Sequence, residues 1–239
     1  MATLFISDLH LSDERPGITG LFIDFLQQRA SHAEALYILG DLFEAWLGDD
    51  MILPDYRAAI DAMHALSRRV PLYVMYGNRD FLMREEFCRQ SGAELLPEPT
   101  TIDLYGTPTL LLHGDTLCTD DQPYQEFRRM VRDPQWQEAL LAKSPQERLA
   151  LAKQYRETSK LETGSKDEAI MDVNAKAVEQ LLRDHNVFQM IHGHTHRPAV
   201  HEFELNGQPA RRIVLGDWYE QGSVLVCDKN GCRLEGLPL

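Results

Sequence analysis

Cysteine is scarce in this chain. Four are spread over 239 residues, Cys88, Cys118, Cys227 and Cys232, with no C-x-x-C pair. That argues against a disulfide framework, and all four are expected as reduced thiols. Long apolar runs are missing as well: none approaches the ~18 residues that would read as a membrane span. No basic segment precedes the first apolar run, so neither a spanning helix nor a signal peptide is expected, and the chain reads as cytosolic. Positive charge is in deficit, with 24 Lys and Arg against 37 Asp and Glu and a formal net charge of -13. Such a balance argues against a nucleic-acid binder held by global charge. It still allows an anionic substrate where metal ions supply the positive charge locally. Internal repeats and low-complexity linkers are absent.

Against these absences stand five apolar, β-rich runs that end on chemistry. Thr3–Ser7 leads into Asp8-Leu9-His10, and Ala35–Leu39 into Gly40-Asp41. Pro71–Tyr76 leads into Gly77-Asn78-Arg79-Asp80, Thr109–Leu112 into His113-Gly114-Asp115, and Val187–Ile191 into His192-Gly193-His194-Thr195-His196. Open α/β sheets bind ligands at the carboxyl ends of their strands, so these five tips are expected to converge. Alternation on an extended chain would turn Asp8 and His10 the same way.

Between the first three runs lie amphipathic stretches, one opened by Pro16 and one over about 56–69, which makes β-α-β-α-β with parallel strands. A short helix ending at Gly92 follows. The register then changes to hairpin strands with turns at Tyr105-Gly106, Asn206-Gly207 and Asn230-Gly231. The pattern suggests an α/β fold with two mixed sheets face to face and helices outside. From about 120 to 168 it becomes purely helical, with nine Lys and Arg against ten Asp and Glu, so nearly all the excess negative charge lies elsewhere. The cluster Arg128, Arg129, Arg132 reads by default as a solvated helix face, with contact to a membrane surface as the alternative.

Oxygen donors from Asp8, Asp41 and Asn78 with imidazoles from His10, His113, His194 and His196, and no thiolate, suit Mn²⁺, Fe²⁺ or Zn²⁺. Seven ligands exceed what one ion needs but serve two ions sharing a carboxylate, with Asp41 as the bridge. Two ions roughly 3.5–4 Å apart can activate water and clamp a phosphorus ester. Asp80 and Asp115 read as groups that orient ligands or cap helices, and His192 as structural.

Those motifs resemble the calcineurin-like metallophosphoesterases, whose pattern is D-x-H, G-D, G-N-H-D/E, H and G-H-x-H. The resemblance implies a four-layer α/β/β/α sandwich, here one domain over 1–239 with a helical lid inserted at about 120–168. It implies one metal on Asp8, His10, Asp41 and His196 and a second on Asp41, Asn78, His113 and His194. Where most of the family has an acid histidine after the Asn, this chain has Arg79, and arginine donates no proton usefully at neutral pH. A diphosphate expels a leaving group that needs no proton, so diphosphate cleavage is the expected reaction, with Asp41, Asn78, Arg79 and His194 at its centre.

Longer stretches, among them Ile38–Asp50 and His113–Asp121, are similar to the branch of the family that acts on a UDP-linked diacylated glucosamine lipid in lipid A biosynthesis. That similarity implies two Mn²⁺ per chain and peripheral association with the cytoplasmic face of the inner membrane. It further implies substrate contacts at Asn78, Arg79, Asp121, Ser159, Thr163, Lys166 and His194. No nucleic-acid partner and a monomer are expected. Two readings compete: a binuclear phosphoesterase acting on a soluble nucleotide, and a non-catalytic scaffold of the same architecture.

Overall fold

The structure is a computed structural model. It describes residues 1–163 and 172–239, the side chains of 159–163 excepted. The first sheet has the order β11-β10-β1-β2-β3-β4 and the second β5-β6-β7-β9-β8. In the first, β1 (Thr3–Ile6), β2 (Ala35–Leu39), β3 (Leu72–Met75) and the two-residue β4 (Glu94–Leu95) run parallel. The hairpin β10 (Gly222–Asp228) and β11 (Gly231–Leu237) joins antiparallel on the far side of β1. In the second sheet, β6 (Thr107–Leu111), β7 (Gln189–His192) and β9 (Gln208–Val214) run parallel, edged by antiparallel β5 (Thr100–Leu104) and β8 (Ala199–Leu205).

Alternation along each central strand divides its side chains between two cores. Phe5, Leu39 and Met75 of the first sheet meet Leu111, Ile191 and Ile213 of the second. Leu4, Ile6, Leu36, Ile38 and Val74 face the other way, onto α1 (Pro16–Asp24) and α2 (Arg57–Ser67), through Phe22, Ile60, Met63 and Leu66. Leu110, Leu112 and Met190 likewise cover Val178 and Leu182 of α7 (Ala175–His185). Helix, sheet, sheet, helix is therefore the layer order, the expected sandwich. Helix α3 (Glu85–Ser91) stops at Gly92, whose φ of 70° and N–H to the Cys88 carbonyl close its last turn.

Three helices fill most of the expected helical stretch: α4 (Gln122–Val131), α5 (Pro134–Leu141) and α6 (Pro145–Thr163). Each start carries its own signal. Asp121 accepts from Tyr124 N and Asp133 from Trp136 N, while Ser144 and Glu147 form a reciprocal capping box.

Reduced thiols at all four cysteines do not hold. The β10–β11 register sets Cys227 directly opposite Cys232, and a disulfide joins them. The Asn230-Gly231 turn folds positions five apart onto one another, a pairing that linear spacing alone does not announce.

Candidate metal centre

All five expected tips lie at the carboxyl ends of β1, β2, β3, β6 and β7, on one end of the two facing sheets. Backbone bonds tie them together. Asp8 N donates to Gly40 O at 3.1 Å, His10 N to Asp41 O at 2.9 Å and Gly193 N to His113 O at 2.8 Å. Gly77 and Gly193 are required for this closeness, because a Cβ on either would run into the Asp41 or the Asp8 carboxylate.

The route by which Asp8 and His10 reach the site differs from alternation on an extended chain. Strand β1 ends at Ile6, and Asp8 and His10 take left-handed φ of 56° and 47°. Asp41, His194 and His196 do the same, at 51°, 69° and 55°. Backbone of this kind in non-glycine residues costs about 1–3 kcal/mol each and persists where the surroundings enforce it.

The side chains then form two overlapping groups. Asp8, His10 and His196 offer one, and Asp8, Asp41 and His113 the other, each set of donor atoms lying within 4.8 Å of one another. Asp41 Oδ2 stands between them, 3.7 Å from His10 Nε2 and 3.8 Å from His113 Nε2. Asn78 Oδ1 lies 3.0 Å from both His113 Nε2 and His194 Nδ1, and Asp8 Oδ1 lies 3.3 Å from His196 Nε2. Two ligands about 2.1 Å from one ion and at right angles would be about 3 Å apart, close to these spacings. The donors fit divalent cations. Asp8 Oδ1 is buried without a hydrogen-bond partner among the described residues.

Neighbours aim the imidazoles. His113 Nδ1 meets the Leu39 carbonyl at 2.9 Å, so its Nε2 faces the site. His196 Nδ1 is 3.4 Å from Asp217 Oδ2, and His10 Nδ1 is 3.5 Å from Glu44 Oε2. Burial pushes the Asp41 carboxyl up to about 7, with Asp80 and Asp8 adding to it against the pull of His113. Burial would lower His113, but Asp41, Asp8, Asp115 and Glu98 outweigh it and raise the ring to about 9. Burial beside His113 brings His194 down to about 4.

Asp80 accepts from Leu42 N, Phe43 N and Gly77 N, and so holds the two loops that carry Asp41 and Asn78. His192 is buried, with Nδ1 2.8 Å from Gly193 O and its pKa pulled down to about 3 by burial. Asp121 caps α4 from its own side chain. Ser159 and Thr163 fall within α6 but their side chains lie outside the described residues, and Lys166 lies outside them altogether.

The solvated-face reading fails for two of the three arginines of α4 and its end. Arg128 Nε donates to Asp115 Oδ2 at 2.7 Å and its Nη2 to Glu98 Oε2 at 3.3 Å, while Glu98 Oε1 accepts from His113 N. Arg132 donates to Gly77 O at 2.8 Å and lies over the rings of Tyr76 and Phe81. Tyr124, donating to Asp115 Oδ2, packs its ring 5.8 Å from that of His194. Buried acceptors at the mouth of the sheets attract these side chains inward.

Four participants escaped sequence reasoning. Glu44 gathers Arg156 Nε at 3.0 Å, Arg15 at 3.8 Å and Arg79 at 3.9 Å. Arg15, Arg156 and Asp217 are the others, and only Asp217 left a signal. Ile213-Val214-Leu215-Gly216-Asp217 is a sixth apolar run stopping at a glycine beside an aspartate.

Comparison with known proteins agrees with this geometry. The family model described as calcineurin-like phosphoesterase matches residues 1–198. The chain belongs to the calcineurin-like phosphoesterase family. This phosphoesterase is 53% identical over 231 residues to the UDP-2,3-diacylglucosamine hydrolase of Marinobacter nauticus, covering 96% of this chain and 95% of that one. With the protein of the same name from Serratia proteamaculans it shares 52% identity over 239 residues and the full length of both. The Stenotrophomonas maltophilia K279a protein, also so named, is 51% identical over 99% of each chain.

Proposed function

We infer that this phosphoesterase hydrolyses the diphosphate of UDP-2,3-diacylglucosamine by water attack on the α-phosphorus, releasing UMP and 2,3-diacylglucosamine 1-phosphate for lipid A synthesis. Two Mn²⁺ ions, one on Asp8, His10, Asp41 and His196 and one on Asp41, Asn78, His113 and His194, would supply an activated water and neutralise the phosphoryl oxygens. The observation that carries the reading is Arg79, standing where the family has its acid histidine. Its guanidinium is 3.9 Å from Glu44, and its Nε is buried without a hydrogen-bond partner among the described residues. A fixed cation beside Asn78 stabilises the charge gathering on a departing phosphate and donates no proton. The names of relatives at about half identity over nearly full length support the same substrate.

Asn78, Arg79, Asp121 and His194 grip the sugar phosphate from the sheet side, and Ser159, Thr163 and Lys166 from the helical insertion, which acts as a lid over one domain of 1–239. Acyl chains lie against the lid, where Met130 and Leu149 expose 42% and 49% of their surface. Apolar side chains in that position favour peripheral contact with the inner membrane, and no described helix is long and apolar enough to cross it.

The test is release of UMP from UDP-2,3-diacylglucosamine with Mn²⁺, beside UDP-glucose and an aryl phosphate. The lipid substrate should be cleaved, UDP-glucose should not, and Asp41→Ala should lose about 10³-fold or more. Cleavage of the aryl phosphate without the lipid would refute the substrate.

A further inference from the structure

The two sides of the metal centre are built differently. On the side of Asn78, His113 and His194, α4 covers the mouth with Tyr124, Arg128 and Arg132. On the side of His10 and His196 stands a second tyrosine. Tyr219 lies parallel to the His10 ring, with centroids 5.4 Å apart and planes 8° apart, and 5.3 Å from the His196 ring. It is 43% exposed. The Arg15 guanidinium lies over the Tyr219 ring, 4.4 Å from its centroid.

Arg15 is held rather than loose. Its Nη2 donates to the His10 carbonyl at 2.8 Å, and Glu44 stands 3.8 Å away. Its Nη1, however, is buried with no hydrogen-bond partner among the described residues. A buried guanidinium N–H without an acceptor is costly, and it is explained when a ligand supplies the acceptor. Tyr219 in turn is anchored from its backbone, N donating to Asp217 Oδ1 at 3.1 Å, the same aspartate that faces His196. A half-exposed aromatic ring, beside a metal-site histidine and in contact with a cation, therefore stands on the side of the centre away from α4.

We propose that Arg15 and Tyr219 form the subsite for the nucleoside monophosphate half of the substrate. Arg15 donates to its phosphate, and the Tyr219–Arg15 surface carries the pyrimidine. The proposal rests on the diphosphatase reading for the identity of that half. Planar bases pack on aromatic and guanidinium planes with a contribution of about 1–3 kcal/mol per base, so removal of the ring should weaken nucleotide binding about tenfold. Inorganic phosphate, which has no base, should lose far less.

The test is binding of UMP and of inorganic phosphate to the Mn²⁺-loaded full chain, by calorimetry, at matched metal content. Tyr219→Leu should weaken UMP about tenfold and phosphate less than about twofold, Tyr219→Phe should bind UMP as wild type does, and Arg15→Gln should weaken both ligands. If Tyr219→Leu weakens the two ligands equally, or neither, Tyr219 serves only to orient His10 and the proposal falls. Hydrolysis of the lipid substrate by the wild type is scored separately. Its absence would overturn the diphosphatase reading, whereas its presence with unselective Tyr219→Leu binding would overturn only the subsite.

Discussion

A single methyl group at residue 77 should disable the metal centre. The space where a Cβ would sit is taken by the Asp41 carboxylate and backbone N, neither of which can yield without moving Asp41. Gly77→Ala is expected to lower bound metal below one ion per chain and activity about 100-fold, read by metal analysis beside a phosphoesterase assay. Gly20→Ala is its counterpart. Nothing lies within 4 Å of that position inside α1, and the change should stabilise the fold by about 0.5–1 kcal/mol. Residue identities at the strand tips were legible because chemistry and chain punctuation coincide there. Their conformation was not: an apolar run followed by D-x-H gives no sign that both residues turn left-handed, since the enforcing contacts come from Gly40, Asp41 and Trp218, far off in sequence. Glu44 and Arg15 were unreadable for a similar reason, being ordinary surface residue types until folding brings three arginines to one carboxylate.

Among the elements, α6 depends on one buried arginine at its start. Arg148 is 4% exposed and donates to the carbonyls of Leu47, Leu141 and Lys143 and to both carboxylate oxygens of Asp50. It fastens the helical insertion to the loop that follows Asp41. Arg148→Met keeps the bulk but leaves those acceptors without their donor, at a cost of about 2–4 kcal/mol and a Tm lowered by about 5–10 °C. A shift below about 1 °C in a thermal melt would contradict that assignment. Periodicity and caps marked where the helices of this region lie, because Asp121, Asp133 and Ser144 act locally. The direction of Arg128 and Arg132 was hidden. Periodicity separates apolar from polar faces, and a polar face turned toward buried Asp115 or the Gly77 carbonyl looks like one turned toward water.

The molecule as a whole carries Asp8, Asp41, Asp80 and Asp115 almost wholly buried at one end of its sheets. Without metal, burial raises Asp41 from 3.8 to about 7, and the surrounding carboxylates raise His113 from 6.5 to about 9. At these two groups the metal-free fold binds more protons than the unfolded chain, and their contribution to stability falls as pH climbs, through the first window for Asp41 and the second for His113, while His194 and His192, held down to about 4 and 3, oppose it below pH 6.5. Ligation requires both groups deprotonated, so metal affinity moves the opposite way and rises between pH 6 and 9, by up to about tenfold per unit for each proton displaced. Thermal melts with and without Mn²⁺ should therefore diverge as pH is raised across that range. A constant gap would show that neither group gives up a proton on binding.

Strand β1 delivers Asp8 and His10, yet one of its two neighbours is β10, paired as Thr3 with Cys227 through Phe5 with Leu225. In a ribosome's terms the two partners are about 220 residues apart, or about 10–40 s of synthesis. Throughout that interval the nascent chain holds an unpartnered strand edge, and the loop that carries Asp8 and His10 has no Trp218 amide to bond the Asp8 carbonyl. The Asp8–His10 loop therefore gains its full set of supports only once β10 has been made.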